Sequence, residues 1–233
     1  MDQFVRVIEA IGQENFQKIQ QIHVCVIGIG GVGSFAVETL VRTGIKKLTI
    51  IDYDDYDISN LNRQWPSNTE IIGQTKVSQV AREAKKINPE MSVEEISTKL
   101  TIDNYMQIME PIIKGNNVYV IECIDDTRMK VLLTELFVMN KTAFISSMGA
   151  ANISDITKVR YADLSKTEYC RVAHKLRKEL RKKKIYKGIP VVYSPEERIK
   201  NPDNIKGSLM SMTATFGIYL AQWVIKKVTE PTD

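Results

Sequence analysis

Cysteine is scarce: 233 residues hold three, Cys25, Cys123 and Cys170, and no C-x-x-C pair. One chain therefore cannot build a four-thiolate zinc site, and no structural zinc is expected. Isolated thiols, two of them in or beside apolar runs, fit a reducing, cytoplasmic setting better than a disulfide scaffold. Histidine is scarcer, at two. His23 opens an apolar run and is read as structural. His174 lies among cations, a poor place for a catalytic base. No Ser-His-Asp or Cys-His pairing is in view. No run of about 18 apolar residues occurs, so no membrane span is expected. The opening MDQFVRVIEA lacks the basic-then-apolar pattern of a signal peptide. Internal repeats and low-complexity tracts are also missing. With 43% hydrophobic residues, the chain can bury the core of one large domain spanning 1–233.

What is abundant is glycine at one place. The β-branched run 22–29 reads as a buried parallel strand, and Gly28, Gly30, Gly31 and Gly33 follow as G-x-G-G-x-G. Glycines there let the chain turn sharply and let a phosphate reach backbone N–H groups at a helix N-terminus. Residues 34–41 continue as that helix, with Gly44 placed to end it. Residues 48–51 form the next strand, and Asp52 at its end lies 19 residues beyond Gly33, the spacing of an acid on a ribose hydroxyl. The expectation is a Rossmann-like α/β fold, a mostly parallel sheet flanked by helices, with nucleotide in its first half (1–150).

The next motifs sharpen this: Asp52-x-Asp54, Ser59-Asn60-Leu61-Asn62-Arg63-Gln64 and Gly73-Gln74-x-Lys76. Together with the glycine loop they resemble the adenylating family of ubiquitin-activating and sulfur-carrier-activating enzymes. A dehydrogenase needs only to hold a pyrophosphate. Adenylation must also stabilise charge building on the α-phosphate and on departing pyrophosphate, which calls for cations and a metal-binding acid. The resemblance implies that Asp54, Asn60, Arg63, Gln64 and Lys76 serve ATP, with Arg63 and Lys76 supplying the cations. Glu122-Cys123-Ile124-Asp125 resembles the family's D-x-x-D turn, with Glu122 in place of the first acid. Asp125 is then the catalytic acid that holds Mg²⁺, and Asp126 suits a helix N-cap better. Phe4-Val5-Arg6 resembles an N-terminal segment whose arginine reaches a partner subunit's nucleotide, with Gln3 in place of the first arginine. The resemblance implies Arg6 as a candidate trans-acting cation of a homodimer, a solvated surface arginine being the other reading.

Elsewhere, 2–20 and 69–86 read as helices, the second exposed and amphipathic. Residues 91–99, 118–121, 143–147, 156–161 and 190–194 read as strands, with 156–161 in a meander beyond the nucleotide half. Helices are expected at 103–114 and 130–140. Residues 195–207 read as a mobile polar loop, and 208–228 as an apolar helix for a core or a dimer interface. Charge is uneven. Residues 171–187 carry a net +8 in a chain whose total is +4, leaving −4 elsewhere. Val172, Ala173, Leu176 and Leu180 recur at helical spacing, so one face packs and the rest is positive. Such an element suits a polyanion, here RNA, gripped by Lys175, Arg177, Lys178, Arg181, Lys182 and Lys183.

The C-terminal part (151–233) narrows the resemblance. Asp163-Leu164-Ser165-Lys166-Thr167, the basic helix, the V-V-Y-S strand and the T-A-T-F-G helix are similar to the bacterial tRNA threonylcarbamoyladenosine dehydratases. Those enzymes use ATP to cyclise the threonylcarbamoyl group of an adenosine beside the anticodon. The loop before Ser208 departs from them in being short and cysteine-free. Three other readings stay open: adenylation of a ubiquitin-like sulfur carrier, an NAD(P)-dependent oxidoreductase, and a non-catalytic RNA-binding module. A monovalent cation at the site and a sulfur-relay partner are left undecided by the sequence.

Overall fold

The computed structural model describes residues 3–199 and 207–230. Among them, seven strands form one sheet: β1 (His23–Ile27), β2 (Lys47–Ile51), β3 (Ser92–Ile96), β4 (Val118–Glu122), β5 (Ala143–Ser147), β6 (Arg160–Asp163) and β7 (Pro190–Tyr193). Their order is β3-β2-β1-β4-β5-β7-β6. Every neighbouring pair is parallel except β6 with β7. The expected α/β architecture is what the chain adopts.

Helices cover both faces, and alternation along β1 shows how. Val24 and Val26 join α2 (Gln13–Gln20), α3 (Gly33–Thr43), α4 (Lys76–Ile87) and α8 (Met210–Thr229) in one apolar core. Cys25 and Ile27 point the other way, into a second core with α5 (Tyr105–Ile113), α6 (Thr127–Met139) and α7 (Arg171–Lys182). A strand buried on both faces reads as a continuous apolar run, as 22–29 does.

The structure corrects several boundaries. The helix expected over 2–20 is two, α1 (Val5–Ile11) and α2, broken at Gly12 with φ +83°. The helix expected over 69–86 begins as a short 3-10 turn, Thr69–Ile71, and the chain then passes Gly73 at φ +79° before α4 starts at Lys76. Nor is α4 merely exposed, because Val77, Val80, Ala81 and Ala84 are buried. The strand expected over 156–161 opens as a 3-10 turn, Ile156–Lys158, and only then becomes β6. There is no meander: β7 inserts between β5 and β6. The apolar α8 is a core helix. It lies against α3, and a Cβ on Gly217 would meet the Val32 carbonyl oxygen at 2.4 Å. Of the expected 195–207 loop, residues 200–206 lie outside the described ones. No helix among the described residues is long and apolar enough to cross a membrane.

Candidate active site

Strand order reverses between β1 and β4, and a cavity of about 1120 Å³ opens there, at the carboxyl ends of β1, β2, β4 and β5. It is lined by Gly28, Gly30, Gly31, Asp52, Asp54, Asn60, Arg63, Gln64, Lys76 and Asp125, residues spread over nearly a hundred positions of sequence. Gly33 is buried just behind, and Arg6 lies on α1, exposed and outside this cavity.

The four glycines have different reasons to be glycine. Gly28 turns at φ +81°, and a Cβ there would touch the Cys123–Ile124 backbone at 3.0 Å. At Gly33 a Cβ would sit 1.9 Å from the Gly28 carbonyl oxygen, and at Gly31 it would press on Thr213 and Arg63. Gly30 is different: only Gln64 Nε2, at 3.9 Å, comes near, so no atom of the described residues requires a glycine there. The space beside it opens into the cavity. The N–H groups of Gly30, Gly31, Val32 and Gly33 find no acceptor among the described residues, and they surround the start of α3. Four such donors at a helix N-terminus are what a phosphate chain needs. Gly30→Ala is therefore expected to keep stability within the range of surface changes, about ±0.5 kcal/mol, while weakening ATP binding by roughly tenfold. Gly33→Ala should instead cost about 1–3 kcal/mol by overpacking. Thermal denaturation with and without ATP separates the two.

The acids and cations are pre-positioned. Asp52 accepts from the Ile29 N–H at 2.7 Å through Oδ2 and from the Asp54 N–H at 2.9 Å through Oδ1. Each oxygen keeps a second lone pair for a ribose hydroxyl. Starting α4 at Lys76 puts its ammonium, on a residue only 4% exposed, 2.8 Å from Asp54 Oδ2. Among the described residues, Arg63 is tethered through Nη1, to the Ser59 carbonyl at 2.6 Å and Asn62 Oδ1 at 2.8 Å, and the rest of its planar fork could meet an anion. Asn60 closes a capping box with Asp57. Gln64 is 8% exposed, and its buried Oε1 has no hydrogen-bond partner among the described residues.

Asp125 lies exposed on the turn after β4, whereas Asp126 caps α6 by accepting from the Arg128 and Met129 N–H groups. That cap starts α6 at Thr127, three residues earlier than expected. Asp54 foremost, with Asp125, Asp52 and Asp126 beside it, raises the pKa of the Tyr53 phenol, so one acidic rim faces the cavity. Groups of three or more His, Cys, Asp or Glu able to hold a metal are lacking among the described residues. One carboxylate still fits Mg²⁺, which is commonly held by one or two acids plus the substrate's phosphates. Cys123 lines the cavity, but burial pushes its thiol up, away from the thiolate a nucleophile requires.

The family model for ThiF matches residues 4–233. The chain belongs to the ThiF family. The tRNA threonylcarbamoyladenosine dehydratase of Bacillus subtilis is 37% identical over 206 residues, covering 88% of this chain and 80% of its own. That of Escherichia coli is 32% identical, covering 93% and 90%. Among solved structures, the Escherichia coli enzyme TcdA in complex with ATP aligns with a TM-score of 0.90 at 35% identity, over 97% of this chain and 93% of that one.

The basic helix α7 is less uniform than its sequence. Ala173, Leu176 and Leu180 are buried as expected, against α6. Arg177 departs from the expected RNA contact: its Nη1 donates to the Leu164 and Thr167 carbonyls and to the Thr167 hydroxyl, fastening α7 to the preceding turn. Lys183 pairs with Glu135 at 2.6 Å and Lys182 with Glu179 at 2.7 Å. Lys175, Lys178 and Arg181 stay exposed, and Lys175 reaches the cavity.

One unit escaped the sequence reading. Glu122 and Lys130, each 1% exposed, form an ion pair at 2.5 Å. Lys130 also donates to Ser146 Oγ and the Ser147 carbonyl, Ser146 donates to Glu122, and Glu122 Oε1 accepts from the Ile124 N–H at 2.9 Å. The pair thus joins β4, β5 and α6 directly beneath the Asp125 turn. Alternating acid and lysine eight residues apart gave no motif to read; only α6 brings them together.

Proposed function

We propose that this ThiF-family chain is an ATP-dependent tRNA threonylcarbamoyladenosine dehydratase. The carrying observation is that a phosphate-binding loop and the start of the basic helix α7 open onto one cavity. ATP supplies an electrophilic α-phosphorus: the substrate carboxylate oxygen bonds to it, pyrophosphate leaves, the neighbouring carbamoyl group closes on the acyl carbon, and AMP departs with that oxygen. Closure is intramolecular, so effective concentration replaces a protein nucleophile, in keeping with the unreactive Cys123.

The chain's own groups bind and orient. The N–H groups of 30–33 hold the phosphates, Asp52 the ribose, and Asn60, Arg63, Gln64 and Lys76 the triphosphate. Asp54 keeps Lys76 fixed before the anion arrives. Asp125 would hold Mg²⁺. The enzyme acts as a homodimer in which Arg6 reaches the second copy's nucleotide, in the cytoplasm where its tRNA is found. The test is direct. Incubate the protein with ATP, Mg²⁺ and threonylcarbamoylated tRNA, digest, and weigh the nucleosides. ATP-dependent loss of one water from the modified adenosine is expected. An unchanged mass, with ATP–pyrophosphate exchange appearing only when a ubiquitin-like carrier is added, would sink this reading in favour of sulfur-carrier activation.

A further inference from the structure

The cavity is not uniformly charged. Its acids, Asp52, Asp54, Asp55, Asp57, Asp125 and Asp126, follow β2 and β4. Beyond β5 the lining changes sign: Arg171, Lys175 and Arg198 contribute, with no salt bridge from any of the three to a described carboxylate. These cations come from two distant segments that β5 brings together. A Cβ built on Gly149 would meet Arg198 Nη2 at 2.7 Å and Val172 Cγ2 at 3.2 Å, so the guanidinium and the first turn of α7 both press on the strand end. Arg171 is the first residue of α7, whose N-cap, Cys170, makes no side-chain cap. The uncapped N–H groups and helix dipole add to the side-chain charge.

Resting on the dehydratase reading, we propose that Arg171, Lys175 and Arg198 form a second anion subsite that holds the polynucleotide phosphates flanking the reacting adenosine. Position favours this over a second grip on the triphosphate. β5 lies two strands from β1, and strands are about 4.8 Å apart, so the cluster is roughly 10 Å along the sheet from the phosphate loop. Position also argues against the reacting carboxylate as its ligand. That group must meet the α-phosphate at the loop, and pairing it with three cations would blunt its attack. A phosphodiester enters without reacting, and a guanidinium's paired N–H donors suit its oxygens. The exposed Lys178 and Arg181 extend the same charge along α7. The cluster therefore links the tRNA-binding helix to the reacting centre.

Binding of a fluorescent anticodon stem-loop, with and without the threonylcarbamoyl group, tests this by anisotropy across a salt series. Arg171→Gln and Arg198→Gln should each weaken binding about tenfold and lower the slope of log K against log salt by about 0.7–0.9. Their ATP affinity, measured without RNA, should match wild type. The surface control Lys114→Gln should change neither. Unchanged slopes with weakened ATP binding would overturn the subsite and hand these cations to the triphosphate. Unchanged values of both would overturn it outright. Failure of the dehydratase reading is distinct: wild type would bind the stem-loop with the full slope yet release no water.

Discussion

Asp125→Asn is expected to lower single-turnover dehydration by about 10²–10³-fold, the scale of removing one positioned electrostatic group from a reaction that builds charge. Its affinity for the stem-loop and its Tm should hold, since Asp125 is exposed and Asp126, not Asp125, caps α6. Asp126→Asn should change neither. It keeps an accepting oxygen at the cap, so both stability and rate should stay near wild type, whereas Asp126→Ala should cost about 0.5–2 kcal/mol. Quenched-flow measurement with saturating ATP and RNA checks the pair. A loss under threefold for Asp125→Asn would remove Asp125 from the reaction and leave the resemblance to the D-x-x-D turn without function here. A large loss at Asp126→Asn would mean that the two acids had been assigned in the wrong order.

The nucleotide half was legible because its chemistry is local. A strand, a glycine turn and an acid at fixed spacing can be counted along the chain, and Gly28 to Lys76 do converge on one cavity. Periodicity also found the buried face of α7, since Ala173, Leu176 and Leu180 recur every three or four residues. What escaped was long-range or competitive. Gly73 at positive φ and the turn capped by Asn68 outweigh helix propensity over 69–75, and that moves the start of α4 to the one place where Lys76 meets Asp54. Charge counting treated Arg177 as one cation among nine, but its neighbours on the 164–167 turn are carbonyls that need a donor. The insertion of β7 between β5 and β6 is a topological choice that apolar runs do not encode, and Arg198 reaches Gly149 only because of it.

Glu122→Gln should be the most destabilising single change at the site that leaves no cavity. It removes one charge from a pair 1% exposed on both sides and strands the Lys130 ammonium among Ser146, Ser147 and an amide. Breaking a buried pair typically costs about 3–5 kcal/mol. For a chain of this size, where 1 kcal/mol moves Tm by about 2–4 °C, that is a fall of roughly 6–20 °C. Lys130→Met should cost less, because Glu122 keeps the Ser146 hydroxyl and the Ile124 N–H as donors. The double variant, with neither charge, should recover much of the loss, as neutral replacements of buried pairs do. Denaturant melts on all four proteins give the coupling energy, provided the m-values agree. Additive losses would mean that the two side chains act independently and that the short contact contributes nothing of its own. The same change should spare chemistry below the transition temperature. Glutamine still offers Oε1 to the Ile124 N–H, so the turn carrying Asp125 is held in place. Glu122→Ala loses that acceptor, and its turnover per folded molecule should fall even where Glu122→Gln retains it.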